Sequence, residues 1–216
     1  PICKYLEKIT KKKFPKKSTH VLQSGINSSR WYHEKGFELK HPCIGLVQGS
    51  VMWGKAQEML TLEKVLKKFP NITFYWAGDG PFAKKILSTL EKYPNFKWLG
   101  NLDYPDKVRQ FLTEIDIYAL ISGMDMSPLT LQEAQLMEKP VIATNVGGTS
   151  EIVDNNNGYL LDAHPNVEKV VDKITEFYNL PVEEKTIKRK AAFETWKNKY
   201  NADKNYSQFA EEILSL

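Results

Sequence analysis

Cysteine is scarce in this chain. Of 216 residues only Cys3 and Cys43 are cysteines, too few for a disulfide scaffold, and neither has the Cys/His spacing of a zinc motif. They read as free thiols in a reducing compartment, with a single disulfide left open. Long apolar runs are missing too: none approaches the roughly 18 residues of a membrane span. The lysines near the start precede no apolar stretch of a signal peptide. Charge of one sign is equally scarce. The 30 Lys and Arg exceed the 26 Asp and Glu by +4, too little to argue for nucleic acid. Several catalytic patterns are absent as well. Gly49 and Gly54 are wrongly spaced for a dinucleotide fingerprint, and Lys55 lacks the following Ser or Thr of a phosphate loop. His20, His33, His41 and His164 form no spaced metal set, and His33-Glu34 lacks a second His, so no metal site is expected. Ser122-Gly123 is not part of a nucleophile elbow.

What is present is a globular core, with 42% hydrophobic and 26% charged residues. Short apolar runs at 42–48, 72–77, 96–99, 115–121, 140–144 and 158–161 read as strands. Helical periodicity separates them, at 57–69, from Pro81 to about Leu90, from a cap at Asp106 through Leu112, and from Ser127-Pro128 to about Met137. Helices over 167–178 and 182–196 follow, and no glycine occurs after Gly158, which suits a helical tail over 199–216. Strands alternating with helices, and lacking polar alternation, predict an α/β fold: a doubly wound parallel sheet covered on both faces. Its ligand belongs beyond the carboxyl ends of the strands.

Residues 1–40 differ from this body. The first twenty hold seven lysines and one acid, Glu7, for a net +6, while the rest of the chain is near neutral. A solvated helix face plus loop is one reading of this basic arm. Peripheral contact with an anionic membrane surface is the other, each lysine near such a surface adding about 1 kcal/mol. No aromatics interleave with the lysines, so nucleic acid is not the expected partner. The segment as a whole reads as a linker and an extra edge element. The body over 41–198 reads as the ligand-binding domain. The start at Pro1, not Met, leads to the expectation of a piece of something larger.

Four loops follow strands and converge on one crevice in this fold: Gly49 to Lys55, Gly78 to Pro81, Ser122 to Thr130 and Asn145 to Ser150. They offer glycines for close backbone approach and helix N-termini for negative charge. Lys55 opens the first helix, where an ammonium can pair with a phosphate, although a solvent-facing lysine is the plain alternative. Glu133 can accept hydrogen bonds from a vicinal diol such as ribose. Read alone it is equally the partner of Thr130 in a capping box. Asp125, in the loop before that helix, can meet a hydroxyl-rich ligand from the other side. The backbone N–H groups from Pro128 to Thr130 suit a diphosphate. Gly147 and Gly148 permit close approach, or form a plain turn.

The stretch Ser122 to Leu161 resembles the signature region of the retaining, GT-B fold glycosyltransferases of family 4, also called glycosyl transferases group 1. Its central piece is Asp125-Met126-Ser127-Pro128-Leu129-Thr130-Leu131-Gln132-Glu133-Ala134, with two acids separated by seven residues. Lys139-Pro140-Val141-Ile142-Ala143-Thr144-Asn145-Val146-Gly147-Gly148-Thr149-Ser150-Glu151 and Asn157-Gly158-Tyr159-Leu160-Leu161 continue it. Ala77-Gly78-Asp79-Gly80-Pro81 resembles the family's glycine loop. The stretch from Phe96 through Leu99 to Asn101 resembles the strand and loop that line the nucleotide base. The match covers roughly residues 20 to 210.

The resemblance implies the Rossmann-like, C-terminal donor-binding half of a two-domain enzyme that moves a hexosyl group from a nucleotide-sugar to an acceptor hydroxyl with retention of configuration. Glu133 would hold the ribose hydroxyls, Asp125 would address the donor sugar, and Lys55 would steady the leaving diphosphate. The expected donor is a UDP- or GDP-sugar, with no tightly bound cofactor. The expected acceptor is a sugar, lipid-linked or polysaccharide hydroxyl held by an N-terminal domain preceding Pro1, without which the fragment should be inactive. The expected location is the cytoplasm, peripheral at the inner membrane face. Two departures stand out. Asp125 is one methylene shorter than the family's usual Glu, and Ser50 stands where the family has an Arg, five positions before Lys55. A non-catalytic nucleotide or sugar-nucleotide binding module on the same fold is the alternative.

Overall fold

The computed structural model describes residues 1–215. Six strands, β1 (Cys43–Val47), β2 (Thr73–Ala77), β3 (Phe96–Gly100), β4 (Ile117–Leu120), β5 (Val141–Thr144) and β6 (Gly158–Leu161), form one sheet in the order β3-β2-β1-β4-β5-β6. Every neighbouring pair is parallel, with Ile44 beside Phe74 on one side and Ile117 on the other. Ten helices accompany them among the described residues: α1 (Lys4–Lys13), α2 (Trp53–Ala56), α3 (Leu62–Lys68), α4 (Ala83–Leu90), α5 (Asp106–Glu114), α6 (Leu129–Leu136), α7 (Thr149–Ile152), α8 (Val167–Asn179), α9 (Val182–Lys199) and α10 (Ala202–Leu214).

Alternate residues of each strand point to opposite faces, so a sheet covered twice needs apolar residues at nearly every strand position. Ile44, Leu46, Phe74, Trp76, Ile117 and Ile142 pack into one layer with Met59, Leu66, Ile86 and Ile174 from the helices. Cys43, Tyr75, Tyr118, Leu120, Val141 and Ala143 pack into the other with Phe111, Leu131, Ala134 and Trp196. The strand order reverses between β1 and β4. The loops leaving their carboxyl ends therefore diverge to opposite faces and leave a crevice.

Four local expectations change. The helix expected over 57–69 opens as α2, tightens into a 3-10 turn over Gln57–Thr61, and only then becomes α3. Asp106 is the first helical residue of α5 rather than its cap, because Pro105 holds the cap position. Its carboxylate binds Arg109 and Arg30, each at 3.1 Å. Residues 1–40 add no edge strand. They touch strand-like backbone only where Ile26 bridges Asn201, with Ile26 N–H donating to the Tyr200 carbonyl at 2.8 Å. The arm at 1–20 is anchored: Lys4 and Tyr5 N–H donate to the Glu151 carboxylate at 2.9 and 2.8 Å, and its seven lysines are exposed. Both cysteines are buried free thiols, so the single disulfide left open is not formed.

Candidate functional site

The first two loops of the crevice are fastened to each other. Trp76 Nε1 donates to the Gln48 carbonyl at 2.8 Å, Ser50 N–H to the Asp79 carbonyl at 2.8 Å, and Phe82 N–H to the Ser50 carbonyl at 3.2 Å. This seam explains Gly78 and Gly80, with φ of +152° and +141°. A Cβ on Gly78 would stand 2.1 Å from the Gln48 carbonyl oxygen, and one on Gly80 2.8 Å from the Ser50 carbonyl carbon. Ser50 is wholly buried under this seam, so position 50 presents no cation to the crevice.

The β4–α6 loop carries Asp125 and is held just as closely. Gly123 N–H donates to the Lys55 carbonyl at 3.1 Å, tying α2 to the loop. A Cβ on Gly147 would lie 1.8 Å from the Asp125 carbonyl oxygen, and one on Gly148 2.1 Å from that of Met126. The glycine pair is thus a seat for the Asp125 loop. Across the crevice mouth Lys55 Nζ meets Asp125 Oδ2 at 2.5 Å, with the lysine side chain about one-third exposed and the aspartate 10% exposed.

Between these loops lie two adjoining hollows that share Val47, Gln48, Gly49 and Thr130. One, of about 220 Å3, is lined also by Gly78, Asn101, Leu102 and Tyr104. The other, of about 270 Å3, is lined by Lys55, Asp125, Ser127, Pro128 and Leu129. Of the residues singled out from sequence, Gly49, Lys55, Gly78, Asn101, Asp125, Pro128, Leu129 and Thr130 thus come together. Asp79, Gly80, Leu99, Gly147 and Gly148 do not line either hollow; Asp79, Gly80, Gly147 and Gly148 support the loops that do.

Helix α6 points its N-terminus at the second hollow. Pro128 occupies the cap position and supplies no side-chain cap, so the first N–H groups face the crevice without an intrahelical partner. The Thr130–Glu133 capping box does not form, because Thr130 is already the second helical residue. Glu133 is instead 3% exposed, and its Oε1 accepts from the Tyr104 hydroxyl at 3.0 Å. Burial pushes its carboxyl up to about 7 against the pull of that hydrogen bond. Tyr104 is pushed up to about 12, first by desolvation and then by the Glu133 charge. Tyr104 lines the first hollow, whereas Glu133 lines neither and is linked to the first through the Tyr104 hydroxyl.

Three residues of this site carried no signal in the sequence. Tyr104 lies in a polar loop 29 residues from Glu133. Tyr118 reads as an ordinary strand aromatic, yet its hydroxyl donates to the Val47 carbonyl at 2.9 Å and ties β4 to the carboxyl end of β1. Gln48 is 3% exposed and spans from β1 to the Ile121 carbonyl at 3.3 Å, while its Oε1 has no protein partner.

Residues 55–194 match the family described as glycosyl transferases group 1. An uncharacterized glycosyltransferase of Methanocaldococcus jannaschii is 29% identical over 74% of this chain and 43% of its own length. Among solved structures, sucrose-phosphate synthase from Thermosynechococcus elongatus superposes with a TM-score of 0.83 at 16% identity, over 97% of this chain and 56% of that one. The C-terminal domain of a glycosyl transferase group 1 family protein (LpcC) from Francisella tularensis matches with a TM-score of 0.65 at 20% identity, over 82% of this chain and 99% of that one. The Anabaena protein HepE, solved in complex with UDP and glucose, matches with a TM-score of 0.67 at 18% identity, over 99% of this chain and 52% of that one. The chain thus spans only about half the length of the Methanocaldococcus, Thermosynechococcus and Anabaena proteins. The likeness to the solved structures establishes the fold as the Rossmann-like C-terminal half of a GT-B architecture.

Proposed function

This chain belongs to the glycosyl transferases group 1 family, and from that premise we propose that it is the donor-binding half of an enzyme transferring a hexosyl group from a nucleotide-sugar to an acceptor hydroxyl, with retention of configuration. The observation that carries this reading is the Lys55–Asp125 pair, set beside the open N-terminus of α6 at the point where the strand order reverses. In the free protein the two side chains neutralise each other. A diphosphate entering the second hollow competes for Lys55, and the released Asp125 carboxylate turns to the hydroxyls of the sugar. As the bond between the anomeric carbon and the β-phosphate oxygen breaks, negative charge grows on the departing diphosphate. Lys55 and the N–H groups near Leu129 and Thr130 favour that charge. Glu133, behind Tyr104, accepts from the ribose hydroxyls. The acceptor, a sugar, lipid-linked or polysaccharide hydroxyl, attacks from the same face and is held by another domain.

UDP, the nucleotide in the Anabaena complex, is the ligand to try first, with GDP beside it. Calorimetry should show Lys55→Ala weakening UDP roughly 10- to 100-fold, as expected for loss of a charge-assisted hydrogen bond. Uridine binding should be unchanged. Equal losses for both ligands would remove Lys55 from the phosphate site. Ser50, buried where the family has an Arg, favours the second reading, a module that binds nucleotide-sugar without transferring it. Turnover separates the two. A chain with an open crevice neither holds an acceptor nor excludes water. We expect this chain alone to transfer little sugar, and transfer to appear once an acceptor-binding domain is supplied. Robust transfer by the isolated chain would contradict the division of labour.

A further inference from the structure

At the opposite end of the sheet, where the strands begin, a histidine and a cysteine at the start of β1 meet an aspartate 73 residues beyond that cysteine. We propose that His41, Cys43 and Asp116 form a site for a zinc-type divalent transition-metal ion, distinct from the donor crevice. The backbone sets up the convergence. His41 sits in the bend that leads into β1, Cys43 is the first residue of that strand, and Asp116 directly precedes β4, the strand that pairs with β1. His41 Nδ1 lies 2.9 Å from Asp116 Oδ1 and 3.5 Å from Cys43 Sγ. All three donor atoms lie within 4.8 Å of one another. Tetrahedral zinc, with bonds of about 2.0 to 2.3 Å, sets its ligand atoms roughly 3.3 to 3.8 Å apart. The His41–Cys43 pair already fits, the His41–Asp116 pair has to open by about 0.4 Å, and the Cys43–Asp116 pair has to close by at most about 1 Å.

The arrangement does not suit nucleophilic catalysis. A Cys–His–Asp relay needs the thiol and the carboxylate on opposite ring nitrogens, so that the imidazole passes a proton between them. Here both face Nδ1, which is how ligands around a common centre are placed. The partners behind the ligands agree. Asp116 Oδ2 accepts from the Cys43 N–H at 2.7 Å, and the Tyr178 hydroxyl, which donates to the Cys43 carbonyl at 3.0 Å, stands 3.4 Å from the same oxygen, which leaves Oδ1 facing His41. Cys43 is fully buried, while the His41 and Asp116 side chains are 45% and 31% exposed and border a hollow of about 620 Å3. This gives three protein ligands on one side and a fourth position open to solvent.

The other charged groups around the hollow are Glu114, Lys139, Lys185 and Arg189. The Lys139 and Lys185 ammonium groups are already held by backbone carbonyls. A thiolate and a carboxylate balance a dication. As the metal binds, the thiol proton leaves to solvent and the proton that His41 Nδ1 shares with Asp116 moves to Nε2 by tautomer exchange, without redox change. The sulfur and nitrogen donors select zinc or cobalt over magnesium or calcium. A metal here would fasten the start of β1 to the start of β4.

Cobalt(II) alone, added to the reduced chain, tests the proposal. One equivalent should give a thiolate-to-cobalt charge-transfer band, which zinc abolishes and magnesium does not. Cys43→Ser should lose the band, and Cys3→Ser should keep it. His41→Ala and Asp116→Asn, at partly exposed positions, should each weaken cobalt and zinc at least tenfold while circular dichroism shows a folded chain. They decide the matter if Cys43→Ser does not fold. Tyr178→Phe should keep the band with about tenfold weaker binding. No band at one equivalent overturns the proposal, as does a band unchanged in His41→Ala and Asp116→Asn.

Discussion

The two ends of the sheet each bury an ionisable side chain, and they satisfy it differently. At the amino end Lys139, 4% exposed, donates from Nζ to the carbonyls of Thr113 and Ile115, both at 2.8 Å. At the carboxyl end Glu133, 3% exposed, has a single hydrogen bond, from Tyr104. Desolvation displaces both, lowering Lys139 to about 8 and raising Glu133 to about 7. The lysine closes off backbone acceptors that strand geometry leaves open between α5 and β4, so its work is finished when the chain is folded. The carboxylate keeps acceptor capacity in reserve beside a hollow. A buried charge whose partners are all in the protein is a structural device. One that is under-supplied behind the wall of a hollow is the candidate ligand group.

The largest effect that probes this contrast belongs to Lys139→Ala. It removes buried methylenes and leaves two carbonyls without their donor, which together cost about 2 to 4 kcal/mol. Relief of the desolvated charge offsets only part of that. Urea unfolding should show the loss, while UDP affinity stays within about twofold of the parent, since the mutation lies at the other end of the strands. A fall in UDP affinity that exceeds the change in stability would break the division between the two ends.

Glu133→Gln should behave in the opposite sense. It keeps the shape and an acceptor for the Tyr104 hydroxyl but loses the charge. Hydrogen bonds to a charged acceptor contribute about 1.5 to 3 kcal/mol, so UDP should bind on the order of thirtyfold more weakly. The 2′,3′-dideoxy analogue should be nearly unaffected. Equal losses for the two ligands would take Glu133 out of the ribose site. A drop in melting temperature with no selective loss would restore a purely structural role.

These two positions also show what the sequence discloses and what it hides. Ile44, Leu46, Phe74 and Trp76 announce a doubly covered sheet because burial on both faces demands apolar residues throughout, whereas β3, at the sheet edge, exposes Lys97 and Trp98 and buries only Phe96. Glu133 and Lys55 stand out through motif spacing, and the structure sets Lys55 against Asp125. The partner of Glu133 is a different matter. Thr130 fits a capping box by local text, yet helix α6 begins one residue earlier, and Tyr104 arrives from a loop beyond β3. Asp106 fails as a cap for a similar reason: α5 already includes it, Pro105 holds the cap position, and its carboxylate pairs with Arg30 and Arg109 instead. The meeting of His41 and Cys43 with Asp116 depends on the pairing of β1 with β4. Periodicity and capping are local and can be read along the chain. Contacts set by strand order cannot.

The smallest effect is one of pH, and its sign follows from the raised carboxyl of Glu133. Its folded value of about 7 lies above the ordinary value of 4.5. The native state therefore holds a proton that the unfolded chain releases between those values. Stability from this group is complete below about pH 4.5 and is lost as pH rises toward and past 7. Glu133→Gln removes that loss, so the variant should gain on the order of 1 to 3 kcal/mol over the parent at pH 8 and nothing at pH 4.5. Ligand binding runs the other way. Ribose hydroxyls donate to the ionised carboxylate, of which about nine-tenths is present at pH 8 and about one-tenth at pH 6. UDP affinity in the parent should therefore fall roughly tenfold more than in Glu133→Gln between those pH values. The variant shares the titration of the ligand's own phosphate, so the difference between the two proteins isolates the side chain. Parallel profiles for parent and variant would mean that the buried carboxyl does not meet the nucleotide, and the contrast between the two ends of the sheet would then be one of hydrogen-bond count alone.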